Sequence, residues 1–175
     1  VEKQDYLEYL DKLSAVSGIQ IKDFNSLIKA LVVRLDFFVE MGCTISDHSL
    51  EYVMYEPATA EEIEEIFSKR LAGETLSVSE RKKFETAFML ALGKEYHKRN
   101  WVMQLHFGVK RDNNKSIFEK LGADMGIDCI SNYTPSAQMA DFLNALAVTD
   151  ELPKTILYSL NPIDNAAIGT ILGCF

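Results

Sequence analysis

Apolar positions open the chain at helical spacing: Leu7, Leu10, Leu13 and Val16 share one face, and Gly18 supplies a stop. A second helix is predicted from Asp23 as N-cap, turning Phe24, Leu27, Ile28, Leu31, Leu35 and Phe38 inward and ending at Gly42. Cys43 to Ser46 then reads as a short buried strand that closes on Asp47 and His48. Thr59 with Glu62, and Ser77 with Glu80, have capping-box spacing. The first box starts a helix running to about Leu71 and stopping at Gly73. The second starts one that carries Phe84, Phe88 and Leu92 and ends in the basic turn Lys94 to Arg99, where positive charge suits the helix dipole.

The segment Trp101-Val-Met-Gln-Leu-His106 alternates as a buried strand does, and a helix follows near Lys115–Leu121. Gly122 to Tyr133 reads as loop. Thr134-Pro135 predicts a helix start that packs Met139, Phe142, Leu143 and Leu146. A third strand is expected over Lys154–Leu160, ended by Asn161-Pro162, with a last helix near Asp164. Strands alternating with helices imply an α/β protein with a parallel sheet. Three strands cannot close a (β/α)8 barrel, which takes eight in roughly 250 residues. The fold expected is therefore a partial (β/α)8 barrel, with residues 1–175 a central segment of the barrel domain and residues 57–99 a helical insertion within it. The opening on Val1 and the apolar close Ile171 to Phe175 agree with a piece of a longer chain.

Composition narrows the classes. A chain 47% hydrophobic and 25% charged can bury a core. Its net charge of -8 argues against a nucleic-acid partner, which needs a basic surface. No apolar run approaches the roughly 20 residues of a membrane span, so no membrane partner is expected. Cys43, Cys129 and Cys174 lack zinc spacing and read as buried, reduced thiols of a cytoplasmic protein.

The candidate chemistry gathers where the strands end, the side of an α/β sheet on which catalytic groups collect. Asp47 and His48 end the first strand, His106 the second and Asn161 the third; Arg111 and Asn114 follow the second. One imidazole, one guanidinium and amides suit a polar, anionic small molecule. Each has a structural alternative: Asp47 as a turn residue, His106 as a core imidazole, Asn161-Pro162 as a turn dipeptide. His97, among Lys94, Lys98 and Arg99, reads as part of a solvated face, as does the run Glu61, Glu62, Glu64, Glu65. No HxH, HExxH, GxGxxG or P-loop pattern occurs, so a complete metal site cannot be assembled.

Four motifs, in order, resemble the uronate isomerases (glucuronate isomerase): Ser46-Asp47-His48 after Gly42-Cys43; Trp101 to His106 with Arg111 to Asn114; Leu121-Gly-Ala-Asp124 through Gly126-Ile-Asp128; and Leu152 to Pro162 with Asp164-Asn165. The resemblance implies a barrel of the amidohydrolase superfamily that interconverts D-glucuronate with D-fructuronate and D-galacturonate with D-tagaturonate in carbohydrate metabolism. It implies a divalent metal, zinc, held by an HxH of the first barrel strand and an aspartate of the last, both outside this chain, so the isolated segment should be inactive. By the same resemblance His106 is catalytic and faces the substrate oxygens. Arg111 grips the uronate carboxylate, and Asp47, His48 and Asn114 contribute to substrate binding. Two other readings stay open: a metal-dependent hydrolase of that superfamily, and a non-catalytic α/β module that self-associates through its sheet edges. A homo-oligomer is expected.

Overall fold

The computed structural model describes residues 1–3 and 5–175. Two helices lead, α1 (Tyr6–Ser17) and α2 (Phe24–Glu40), followed by β1 (Ile45–Ser49), α3 (Ala60–Leu71), α4 (Val78–Lys98) and β2 (Val102–Phe107). Then come the two-residue strand β3 (Val109–Lys110), α5 (Lys115–Leu121), β4 (Cys129–Ile130), α6 (Ser136–Ala147) and β5 (Thr155–Ser159). A short 3₁₀ turn over Pro162–Asp164 leads into α7 (Asn165–Leu172). Strands β1, β2 and β5 form one parallel sheet in that order, and β3 pairs antiparallel with β4. The expected α/β class and its three parallel strands are present.

The local signals explain most element starts. Asp23 accepts from the Ser26 amide at 2.7 Å, and both predicted capping boxes form. Three boundaries and some inward faces differ. The first strand is Ile45–Ser49 rather than Cys43–Ser46, because the α2 end-turn uses the residues before it: Gly42 has φ +84°, and its amide and that of Cys43 donate to Val39 and Phe38. Asp47 and His48 therefore lie inside β1. The expected loop 122–133 contains β4. Thr134 does not cap α6; its hydroxyl donates to Asp164 at 2.6 Å. Phe38 and Val16 are exposed rather than inward, and the cysteines are not buried: Cys129 lies exposed in β4, Cys174 exposed just past α7, and Cys43 half-buried at the turn after α2. Phe38 instead lies edge-on to Phe37, with the Arg34 guanidinium 5.6 Å and 4.4 Å from the two ring centres.

Side chains on the sheet alternate between two very different surroundings. Met103, Leu105 and Phe107 of β2 are almost fully buried against α4 (Met89, Leu92, Tyr96) and α6 (Met139, Phe142, Leu143, Leu146). Truncating a ring such as Phe142 to Ala there costs about 3–5 kcal/mol. Close packing extends to Gly93 of α4, where an added Cβ would stand 2.9 Å from Leu146 Cδ1. A second core joins α1, α2 and α3 to the first half of α4 through Leu10, Leu13, Leu27, Ile66, Phe67 and Phe84. Helix α4 thus belongs to both cores. Within residues 57–99, α3 and the first half of α4 pack with α1 and α2, and the second half of α4 covers β2.

Among the described residues, no helix covers the opposite face of the sheet. It presents Ile45, Asp47 and Ser49 of β1, Gln104 and His106 of β2, and Ile156 and Tyr158 of β5. Register aligns these as two rows. Asp47, Gln104 and Ile156 form one; Ser49, His106 and Tyr158 form the next, nearer the C-terminal ends.

Candidate active site

The row nearest the strand ends carries the polar cluster. His106 Nε2 lies 3.0 Å from Asp47 Oδ1, diagonally across β1 and β2. A carboxylate in that place accepts, so Nε2 carries the proton and Nδ1 of the neutral ring is left as acceptor. The Tyr158 ring stacks on the imidazole at 4.4 Å between centres and 13° between planes. His106 is thus fixed at an edge by one strand and at a face by another. Its side chain nevertheless remains 46% exposed and that of Asp47 68%, so both are open to a ligand.

Arg111 closes the same row from above. Gly108, with φ +79°, turns the chain out of β2 into the β3–β4 hairpin, a conformation that glycine adopts without strain. Arg111 follows β3 directly. Its Nη1 donates to Asp128 at 2.9 Å and lies 3.7 Å from Asp124, while Nη2 donates to the Ser49 hydroxyl. Asp128 also accepts from the Asp112 amide at 2.9 Å, and Asn113 braces the loop by donating to Lys110 and Ile127 carbonyls. The pairs around Arg111 are solvent-exposed, so each is worth less than about 1 kcal/mol. They aim the guanidinium rather than anchor the fold, and they leave further N–H groups available for an anion.

Three of the residues singled out from the sequence, His48, Asn114 and Asn161, are placed elsewhere, Asn161 being buried just past β5. His48 follows Asp47 in a strand, so the two side chains leave opposite faces. The His48 ring points to the helix side, with Nε2 3.0 Å from the Tyr96 hydroxyl. Burial holds its imidazole below the ordinary value, against a smaller upward pull from Asp47, and pushes the Tyr96 hydroxyl up to about 12. A cavity of about 480 Å³ adjoins His48 on that side, lined also by Tyr52, Arg81 and Glu85; Asp47, His106 and Arg111 take no part in it. Asn114 caps α5, its side chain accepting from the Ile117 amide at 3.2 Å. The structure gathers Asp47, His106 and Arg111, and does not bring His48 or Asn114 to them.

Ser49, Asp128 and Tyr158 belong to the cluster but escape sequence reasoning about the site. Tyr158 sits on an apolar strand, and only the β2–β5 register places it against His106. Among the described residues no group of three or more His, Cys, Asp or Glu is placed to hold a metal ion. The donors here do not fit a divalent cation by themselves. Among the described residues no helix is long and apolar enough to cross a membrane.

Known proteins are similar to this chain along its whole length. A family model for glucuronate isomerase matches residues 1–175. A uronate isomerase of Lachnospira eligens is 62% identical over all of this chain and 37% of its own length. One of Lachnoclostridium phytofermentans is 63% identical over all of this chain and 38% of its own. The crystal structure of a uronate isomerase from Thermotoga maritima superposes on 99% of this chain and 38% of that one, with TM-score 0.92 and 30% identity. The chain thus spans a little over a third of the length of the relatives it matches, and its three parallel strands are part of a TIM-type barrel. With the match unbroken from end to end, this chain belongs to the glucuronate isomerase family.

Proposed function

We propose that this chain forms one wall of the active site of a uronate isomerase, an aldose–ketose isomerase acting on D-glucuronate and D-galacturonate and yielding D-fructuronate and D-tagaturonate. The observation that carries the reading is the convergence of Asp47, His106 and Arg111 on one open face at the strand ends. The reaction moves one hydrogen from C2 to C1. The C2–H bond breaks to give an enediol across C1 and C2; a C1–H bond then forms as the C2 hydroxyl becomes a ketone. Protons must also shift between the two oxygens. His106, with Nε2 held by Asp47, offers Nδ1 to a sugar hydroxyl and can exchange a proton with it as accessory acid and base. Arg111 takes the uronate carboxylate through N–H groups that Asp128 and Ser49 leave free, in the forked geometry that lysine lacks.

The wider reading includes membership of the amidohydrolase superfamily, a role in carbohydrate metabolism, a cytoplasmic location and a homo-oligomeric assembly. It also includes a divalent metal, zinc, whose ligands lie outside residues 1–175. No step given to Asp47, His106 or Arg111 passes through it. The test is a full-length chimera in which this chain replaces the matching segment of the Lachnospira eligens uronate isomerase. The chimera is expected to convert D-glucuronate to D-fructuronate, read by loss of aldehyde and gain of ketone. A folded chimera without isomerisation contradicts the reading, and hydrolysis of a cyclic amide or ester in its place favours a hydrolase.

A further inference from the structure

Asn161, a strand-end residue with no place in the cluster above, leads to a second polar group that is deeply buried. Asn161 and Asp164 are each 6% exposed. The Asp164 carboxylate accepts from the Thr134 hydroxyl at 2.6 Å and from the Ser159 hydroxyl, and makes no ion pair among the described residues. Ser159 Oγ in turn accepts from the Asn161 amide at 3.0 Å. The Asn161 side chain donates to the Ser131 carbonyl at 3.2 Å and to Asn132 at 3.1 Å. A buried carboxylate is costly unless its hydrogen bonds are met, so this network has one favoured arrangement.

Its position gives it a task. Gly108 and Ser131 are the two feet of the β3–β4 hairpin: the Ser131 amide donates to the Gly108 carbonyl at 2.9 Å. Asn161 holds one foot through Ser131. Ser159 abuts the other, since a Cβ on Gly108 would stand 2.7 Å from its Oγ and 3.5 Å from Asp164 Oδ2. The hairpin carries Arg111 and Asp128, and Ser159 follows Tyr158, which stacks on His106. Thr134 ties the same carboxylate to the start of α6.

We propose that Asp164 is a positioning residue: through Ser159 and Asn161 it fixes the base of the β3–β4 hairpin and thereby sets where Arg111 meets the substrate carboxylate. The assignment of that carboxylate to Arg111 rests on the function proposed above; the hold on the hairpin does not. Asp164→Ala removes the acceptor for both hydroxyls. Asp164→Asn keeps the shape and one carbonyl acceptor and serves if the alanine variant does not fold.

Two measurements on the full-length chimera test this. Hydrogen exchange reads the hairpin without reference to activity. Amides of residues 108–131 should exchange about tenfold faster in the variant while those of α4 stay protected, as for a local rather than a global opening. Unchanged exchange in the hairpin, or equal acceleration in α4, overturns the proposal. A double-mutant cycle reads the consequence. Asp164→Ala should raise KM for D-glucuronate about tenfold with kcat within about threefold, and should change KM less than about twofold when Arg111 is already Ala. Additive effects, or a fall in kcat alone, overturn the link to Arg111. If Arg111→Ala leaves KM unchanged while the hairpin still loosens, the carboxylate assignment fails and the hold on the hairpin stands.

Discussion

His106 acquires a role from neighbours on two other strands. Asp47 fixes one ring nitrogen at 3.0 Å and Tyr158 fixes the ring plane. Arg111 is the other residue whose chemistry is specific: its guanidinium donates to Asp128 and Ser49 and keeps a planar fork of N–H groups for the proposed carboxylate contact, which lysine lacks. Arg111→Lys in the full-length chimera should therefore raise KM for D-glucuronate about 10- to 100-fold, the loss of one charge-assisted hydrogen bond. Steady-state kinetics would show it, and an unchanged KM removes Arg111 from the carboxylate contact. His48 differs although it is adjacent to Asp47. Unfolded, it binds a proton near its ordinary value of about 6.5. Folded, burial lowers that value. Its contribution to stability is complete above the unfolded value and declines as pH falls through the lowered folded one. His48→Gln should flatten the dependence of Tm on pH below about 6.5, and an unaltered slope contradicts the burial account. The residue types were legible in the sequence, but the face was not. Asp47 and His48 look equivalent at an expected strand end, and a shift of the strand by two residues separates them onto opposite faces.

At the scale of elements, legibility followed signal length. Helices α3 and α4 begin where their capping boxes put them, and α6 packs the four apolar residues its spacing predicts. The Ser77 hydroxyl accepts from the Glu80 amide at 3.2 Å, and Glu80 returns the contact to the Ser77 amide at 2.8 Å. Ser77→Ala should cost about 1 kcal/mol in denaturant unfolding of the full-length chimera. A change near zero would show that α4 is held by its two cores and owes nothing to its cap. By contrast, β3 and β4 are two residues each, too short for any alternation to register. They exist because Gly108 turns the chain and Ser131 closes it, contacts between residues 23 positions apart. The helix-start signal at Thr134-Pro135 found the right place for the wrong reason, since the threonine hydroxyl serves Asp164 on the far side of the sheet end.

At the scale of the whole molecule, one sheet face is packed and the other is open, and the open face holds the Asp47–His106–Arg111 cluster. The alternation of β2 encodes this: Met103, Leu105 and Phe107 are buried, while Gln104 and His106 are not. A parallel sheet covered on one face only is unusual. The relatives, more than twice as long, have further chain with which to cover the other. Without a metal-binding group among its described residues, this segment alone should bind no stoichiometric zinc and should not isomerise uronates; metal analysis and an activity assay of the 175-residue chain would show otherwise if the ligand set were complete. The central claim is that the Asp47–His106–Arg111 face is part of a uronate isomerase active site. The most direct test is kcat for D-glucuronate isomerisation by the full-length chimera with His106→Ala. The account predicts a fall of roughly a hundredfold or more with the fold intact by circular dichroism, the usual scale for loss of a positioned acid–base group. A kcat within about twofold of the unsubstituted chimera would contradict it.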